Sequence, residues 1–357
     1  MADSSLPTIA ADVPSRIPLE KEQAVPRSRD MSPRAAVVLF FLIPFQMLSA
    51  QELQLAVVGD VMLAELVGQT ISQGGDPFGD VAGILKQADV AVANLECVVA
   101  TSGIEEDKPY TFRASPEVLP VVKRHFDVVC LANNHTGDFG HEAFLEQLAL
   151  LKQHGIPYFG GGKDCVEARA PFMIEAKGMR IALLGYNDFK PRSFEAGPSW
   201  PGVAWAVDEQ IVADIKAARS QHKADLVIPV MHWGWEYEPA NDRQKKLARL
   251  MIESGADLVI GGHPHVTQEV EYHQGKLIAY SLGNFVFNGF DEGPERTGWI
   301  LRLKLDKQGL VAWDTVVTHM DEQGSAFLQR DVSSPSGQRG SDKIANRRAL
   351  MDSPLNR

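Results

Sequence analysis

The segment Gly261-Gly262-His263-Pro264-His265 places two imidazoles one residue apart on a tight turn. It follows Ala256–Ile260, a mostly apolar run with the length of a buried strand. Imidazole is the commonest metal ligand among side chains. Pro264 fixes the backbone between the two histidines, and the glycines permit a sharp turn and close approach to a bound group. The segment reads as half of a metal site. Other strand-like runs end in the residues that would complete it: Asp60, Glu96, Asn134 with His135, and His232. In α/β sheets ligands bind outside the carboxyl ends of the strands, so one shared rim would bring all of these into a single cleft. Carboxylate, amide oxygen and imidazole together suit one or two divalent ions; Mn, Fe and Zn are not distinguished. The expected metal ligands are Asp60, Glu96, Asn134, His232, His263 and His265. Plainer readings stand beside this one: His263 and His265 are ordinary loop histidines, or Asp60 caps a helix beginning at Val61. Glu96 is an acid solvated after its strand, or Asn134 and His135 form a helix-capping turn before Asp138.

Positioning these residues requires alternating strands and helices. Leu53–Val58, Val90–Ala93, Val128–Leu131, Leu226–Met231 and Leu258–Ile260 read as strands, with helices over 138–154, 208–221 and 242–254. Asp138 and Asp208 suit helix N-caps. After Gln268 the pattern becomes antiparallel strands, with Gln274-Gly275 as a hairpin turn. The sequence predicts one α/β domain over 52–320, a layered sandwich of mixed sheets flanked by helices. Residues 1–30 are rich in Pro, Ser and charge, and are expected to be disordered or an extension upstream of a start at Met31. Arg34, the apolar run Ala35–Leu48 and Ser49-Ala50 read as a signal peptide over 31–50, or as an uncleaved anchor. The protein would then be periplasmic or secreted. The polar segment 325–357 is expected to be a disordered tail. A net charge of −11 gives no general attraction to nucleic acid. Three cysteines without close spacing argue against a disulfide framework, and the apolar contexts of Cys97 and Cys130 suggest buried thiols there.

Candidate substrate contacts lie in three places. Lys108, Tyr110 and Arg113 share one loop segment, where an arginine would suit a carboxylate group of a substrate or simply be solvated. Trp233 and Glu236 follow His232 within a cluster of aromatics, which reads as a cleft wall or as core. Asn284 ends a further strand, where it would bond a ligand or shape its turn.

The ordered motifs Gly59-Asp60-Val61-Met62, Asn94-Leu95-Glu96, Phe112-Arg113-Ala114, Asn133-Asn134-His135, His232-Trp233-Gly234, Gly262-His263-Pro264-His265 and Ser281-Leu282-Gly283-Asn284-Phe285 carry a resemblance. The chain resembles the capsule-synthesis family of CapA and PgsA, poly-γ-glutamate capsule proteins within the calcineurin-like metallophosphatase superfamily, across residues 54–318. The resemblance implies that Asp60 is the first-strand metal carboxylate and that Glu96 bridges. It also implies that Asn134 and the late histidines ligate, and that His135 is the acid protonating a leaving group. Two positions depart from the superfamily pattern: Met62 stands where a histidine is usual, and Glu96 where an aspartate is. A single bound metal, or weak binding of a second, is consistent with that. The resemblance implies a role in making, exporting or processing an anionic polymer such as poly-γ-glutamate through a hydrolase-type site. The competing expectation is a non-catalytic assembly protein that binds the polymer or subunits of a membrane synthase.

Overall fold

The first strand already shows the layering. In β1 (Leu53–Val61), Leu53, Leu55 and Val57 join one apolar cluster, while Ala56 and Val58 join another. Successive side chains on a strand point to opposite faces, so this sheet is buried on both sides. The computed structural model describes residues 51–291 and 293–328. β1, β2 (Val90–Leu95), β3 (Val128–Cys130) and β4 (Tyr158–Phe159) lie side by side in parallel. The chain then builds a second sheet. β5 (Phe172–Ala176) pairs antiparallel with β6 (Met179–Asn187), and β7 (Leu226–His232) and β8 (Leu258–Gly262) follow in parallel. A hairpin of β9 (Val270–His273) and β10 (Lys276–Ala279) closes this sheet, with β10 parallel to β8. Its turn has Gln274 at φ 50° and Gly275 at φ 79°. Left-handed backbone at both central residues is the geometry that matches strand twist in a two-residue hairpin.

The chain then returns to the first sheet. β11 (Asn284–Val286) lies parallel to β1, and β12 (Thr297–Asp306) pairs antiparallel with β1. β13 (Gly309–Met320) and β14 (Ala326–Phe327) extend that edge. Between the sheets, Leu55, Val57 and Val92 meet Ile181, Leu183, Ile228 and Ile260 in one cluster. Outside the first sheet, α1 (Gly140–Gln153) packs Phe144, Leu148 and Leu151. Outside the second, α2 (Asp208–Ser220) and α3 (Asp242–Glu253) pack Ile211, Ile215, Leu247 and Met251. The result is the layered α/β sandwich of mixed sheets with flanking helices that the sequence predicts. Burial of each such aliphatic side chain stabilises by about 1.5–3 kcal/mol.

Three local expectations are corrected. Asp208 is the first residue of α2 rather than its N-cap, which is Val207. Asp138 does not cap a helix: α1 begins at Gly140, and the Asp138 carboxylate is occupied elsewhere. The tail does not begin at 325, because Ala326 is buried against the first apolar layer and Ala326–Phe327 pairs with His319 and Met320. An apolar residue in a polar stretch supplies the reason, since it gains by covering the sheet edge. The expected extension 1–30, the export segment 31–50 and the rest of the tail lie outside the described residues. Among the described residues, no helix is long and apolar enough to cross a membrane.

Candidate metal centre

The parallel strands of both sheets end at one rim. The first sheet contributes Asp60, Glu96 and Asn134; the second contributes His232, His263 and His265. Close approach across the seam depends on Gly262, where a Cβ would lie 2.8 Å from Asp60 Oδ1. The Asp60 carboxylate is fixed from both sides. Its Oδ1 accepts from Asn94 Nδ2 at 2.8 Å, and its Oδ2 accepts from the His263 backbone N–H at 3.0 Å. His263 and His265 both adopt left-handed backbone, with φ 95° and 57°. Non-glycine residues in that region carry strain that the surrounding structure must hold in place.

The imidazoles then converge on acceptors. His232 Nε2 lies 2.6 Å from Asn134 Oδ1, 3.1 Å from His263 Nδ1 and 3.4 Å from Glu96 Oε1. A single proton on His232 Nε2 serves only one of these three atoms. His265 Nδ1 is fixed by Asn284 Oδ1 at 2.8 Å, which leaves Nε2 3.9 Å from Glu96 Oε1. Glu96 Oε1 and His263 Nε2 are buried without a hydrogen-bond partner. Such orphaned groups are costly, and a cation beside Glu96 Oε1 would satisfy that oxygen. Two triads of ligand atoms form, each within 4.8 Å: Glu96, His232 and His263; and Asp60, Glu96 and His265. Glu96 belongs to both, the position a bridging carboxylate needs. The donor set therefore fits one or two divalent ions.

Electrostatics agree with this fit. Burial, and then the neighbouring Asp60 carboxylate, push the Glu96 pKa well above the usual carboxylate range. Burial, and then the neighbouring histidines, hold His232 and His263 well below the usual imidazole value. Neutral imidazoles are the ligating form, and a nearby cation would favour the ionised carboxylate.

His135 sits beside this set. Its Nδ1 meets Asp138 Oδ2 at 2.8 Å, and the same oxygen accepts from the Phe112 backbone N–H at 2.6 Å. Lys108 pairs with the other Asp138 oxygen and donates to the Asn134 carbonyl at 2.8 Å. Burial lowers the His135 pKa, opposed by Asp138. A cleft of about 1180 Å³ opens over His135 and Asn134, with Lys108, Tyr110 and Glu236 on its walls.

The structure thus brings Asp60, Glu96, Asn134, His135, His232, His263 and His265 together, with Lys108, Tyr110 and Glu236 along the cleft. Three expected substrate contacts are corrected. Trp233 is wholly buried among the residues beneath the helices and donates Nε1–H to the Tyr280 carbonyl. Strand alternation explains this: His232 faces the site, so its neighbour faces away. Arg113 lies over the Phe139 ring at 4.2 Å and donates to the Ser102 carbonyl. Its neighbour Phe112 takes the site-facing side, 4.5 Å from the His135 ring. Asn284 is buried and spends its amide on His265 and the Glu295 carbonyl, so it orients a ligand rather than reaching the cleft. Sequence reasoning missed Asn94, Asn133 and Asp138 as parts of the site. Asn94 precedes Glu96 by two, the spacing that shares a strand face. Asn133 ties the His135 backbone to Asn94 and the Leu95 carbonyl.

The bacterial capsule synthesis protein family PGA_cap matches residues 54–289 of this chain. The PGA biosynthesis protein CapA of Bacillus subtilis (strain 168) is 32% identical over 283 residues, covering 77% of this chain and 73% of the relative. The capsule biosynthesis protein CapA of Bacillus anthracis is 31% identical, covering 76% of this chain and 68% of the relative. Among solved structures, a novel phosphatase from Mycoplasma pneumoniae aligns at TM-score 0.48 and 11% identity, covering 75% of this chain and 94% of that one. By the extent of the family match and the identity to these relatives, the chain belongs to the bacterial capsule synthesis protein family PGA_cap.

Proposed function

We propose that this protein acts outside the cytoplasm in making, exporting or processing an anionic polymer such as poly-γ-glutamate, through a metal-dependent hydrolase-type site. The observation that carries the reading is the pair of ligand triads sharing Glu96, whose buried Oε1 is left without a hydrogen-bond partner. The names of the two Bacillus relatives support the polymer, and the Arg34-flanked apolar run Ala35–Leu48 supports export or anchoring beside membrane synthase subunits. Asp60, Glu96, Asn134, His232, His263 and His265 would hold the metal. A divalent ion there supplies Lewis-acid polarisation of a phosphoryl or carbonyl oxygen and of water. His135 exchanges a proton with the leaving group at Nε2, because Asp138 engages its Nδ1. Lys108 and the Phe112 N–H hold Asp138 in that orientation.

One observation favours a second reading, a polymer-binding assembly component without catalysis. Met62 is fully buried, and its Sδ accepts from the Ala64 N–H at 3.1 Å, so this position offers the site no nitrogen. Elemental analysis after loading with Mn, Fe or Zn, joined to a screen over phosphoesters and γ-glutamyl amides, separates the two. The hydrolase reading expects bound metal, hydrolysis, and loss of hydrolysis in His135→Ala with metal retained. Bound metal without hydrolysis selects the assembly reading. Absence of metal, with no rise in melting temperature on adding Mn, removes the metal centre.

A further inference from the structure

The cleft over the metal centre is unevenly charged. Glu106, Asp107, Glu236 and Glu238 line it, and none has a side-chain ion pair among the described residues. Of its two lysines, Lys108 is committed to Asp138 and the Asn134 carbonyl, whereas Lys190 has no carboxylate partner among the described residues. Aromatic faces complete the wall. Tyr110, Trp235 and Tyr237 are 71%, 56% and 52% exposed. They are joined to the centre rather than scattered: Trp235 meets Phe189, whose ring lies 3.8 Å from that of His263, and Tyr237 lies 6.4 Å from His265.

A γ-linked glutamyl chain is not uniform in charge. Each internal unit shows one α-carboxylate and no cation. Only the amino-terminal unit shows an ammonium beside its carboxylate. Four unpaired carboxylates oppose a run of internal units and attract the ammonium. Tyrosine and tryptophan faces add cation–π attraction for the same group. Lys190 remains for the single carboxylate of that unit. We propose that the cleft binds the zwitterionic amino-terminal unit of a γ-linked glutamyl chain, so that the site works at a chain end rather than within the polymer. This rests on the polymer reading above.

The test compares two ligands on the full Mn-loaded chain by tryptophan fluorescence: tri-γ-glutamate with a free amino terminus, and the same trimer N-acetylated. Acetylation is expected to weaken binding by about tenfold or more, equivalent to about 1.4 kcal/mol. Glu236→Gln with Glu238→Gln should bring the two ligands within about threefold of each other, with metal content unchanged. Lys190→Gln should weaken both ligands alike. Equal binding of the two trimers to the wild type, or a preference that survives the double substitution, overturns end recognition while leaving the polymer reading intact. Binding of neither trimer to a metal-loaded protein overturns the polymer reading and end recognition together.

Discussion

Replacing Glu96 with Gln is expected to stabilise the metal-free protein and to abolish its stabilisation by Mn. Glu96 is fully buried, its Oε1 has no hydrogen-bond partner, and burial followed by Asp60 raises its pKa well above the ordinary 4.5. A group whose folded pKa exceeds its unfolded value contributes stability that is complete below the unfolded value and lost as pH rises through the folded one. The metal-free wild type therefore loses stability at Glu96 as pH climbs from 4.5, and the amide does not. His232 and His263 have the opposite sign. Their depressed pKa values contribute stability above 6.5 that is lost as pH falls through the folded values, equally in both proteins. An unsatisfied buried group costs about 1–3 kcal/mol, more when charged. At roughly 2–4 °C per kcal/mol for a domain of this size, E96Q should melt about 3–10 °C higher in EDTA at pH 8. That gap should shrink towards pH 4.5. Mn at about 100 times its Kd adds about 2.7 kcal/mol to the wild type, whereas E96Q, lacking the carboxylate common to both triads, should gain little. Scanning calorimetry with EDTA and with Mn reads both effects. A variant that melts below the wild type in EDTA, or an equal rise for both proteins in Mn, refutes the reasoning.

Gly262→Ala would push a methyl group against an Asp60 carboxylate already held at both oxygens. Mn affinity should fall roughly 10–100-fold by titration calorimetry, and unchanged affinity would show that Asp60 is not a ligand. Asp138→Asn frees His135 from its orienting carboxylate, so on the hydrolase reading turnover of an ester or amide substrate should drop about a hundredfold or more with metal content unchanged. Equal turnover would leave His135 without its proposed role. Trp233→Ala should cost about 3–5 kcal/mol of stability in denaturant unfolding; a variant of wild-type stability would contradict the buried position of Trp233.

The candidate ligand residues were legible because strand ends in α/β sheets leave a local signature, an apolar run followed by a polar side chain. Asp60, Glu96, Asn134, His232, His263 and His265 all carry it. What the chain order did not disclose was which face each neighbour takes. Trp233 and Arg113 resemble cleft residues by proximity, yet strand alternation turns each away from the site. Asp138 has the sequence context of a helix cap, and only the folded loop shows its carboxylate taken by His135, Phe112 and Lys108. Long-range pairing was equally hidden. The hairpin after Gln268 and the pair of Thr297–Asp306 with Gly309–Met320 read correctly as antiparallel. Lys276–Ala279 also runs parallel to Leu258–Gly262, however, and Asn284–Val286 parallel to Leu53–Val61. Nothing local to Thr297–Asp306 says that it returns to lie against Leu53–Val61.

The candidate ligands are divided between two sheets, and the contacts that align them are also the stitches between those sheets. Asp60 bonds the His263 backbone, Asn94 reaches His232, and Asn134 reaches His232 from the other side. The centre is thus a seam. A small slide of one layer over the other would misalign both triads at once while every strand kept its own ladder. Loss of the site and unfolding of the protein are separable events, and the first requires only parting of the layers at the rim. Conversely, whatever fills the triads rivets the layers together, so amide exchange at the ends of β1 and β7 should slow in concert when the centre is occupied.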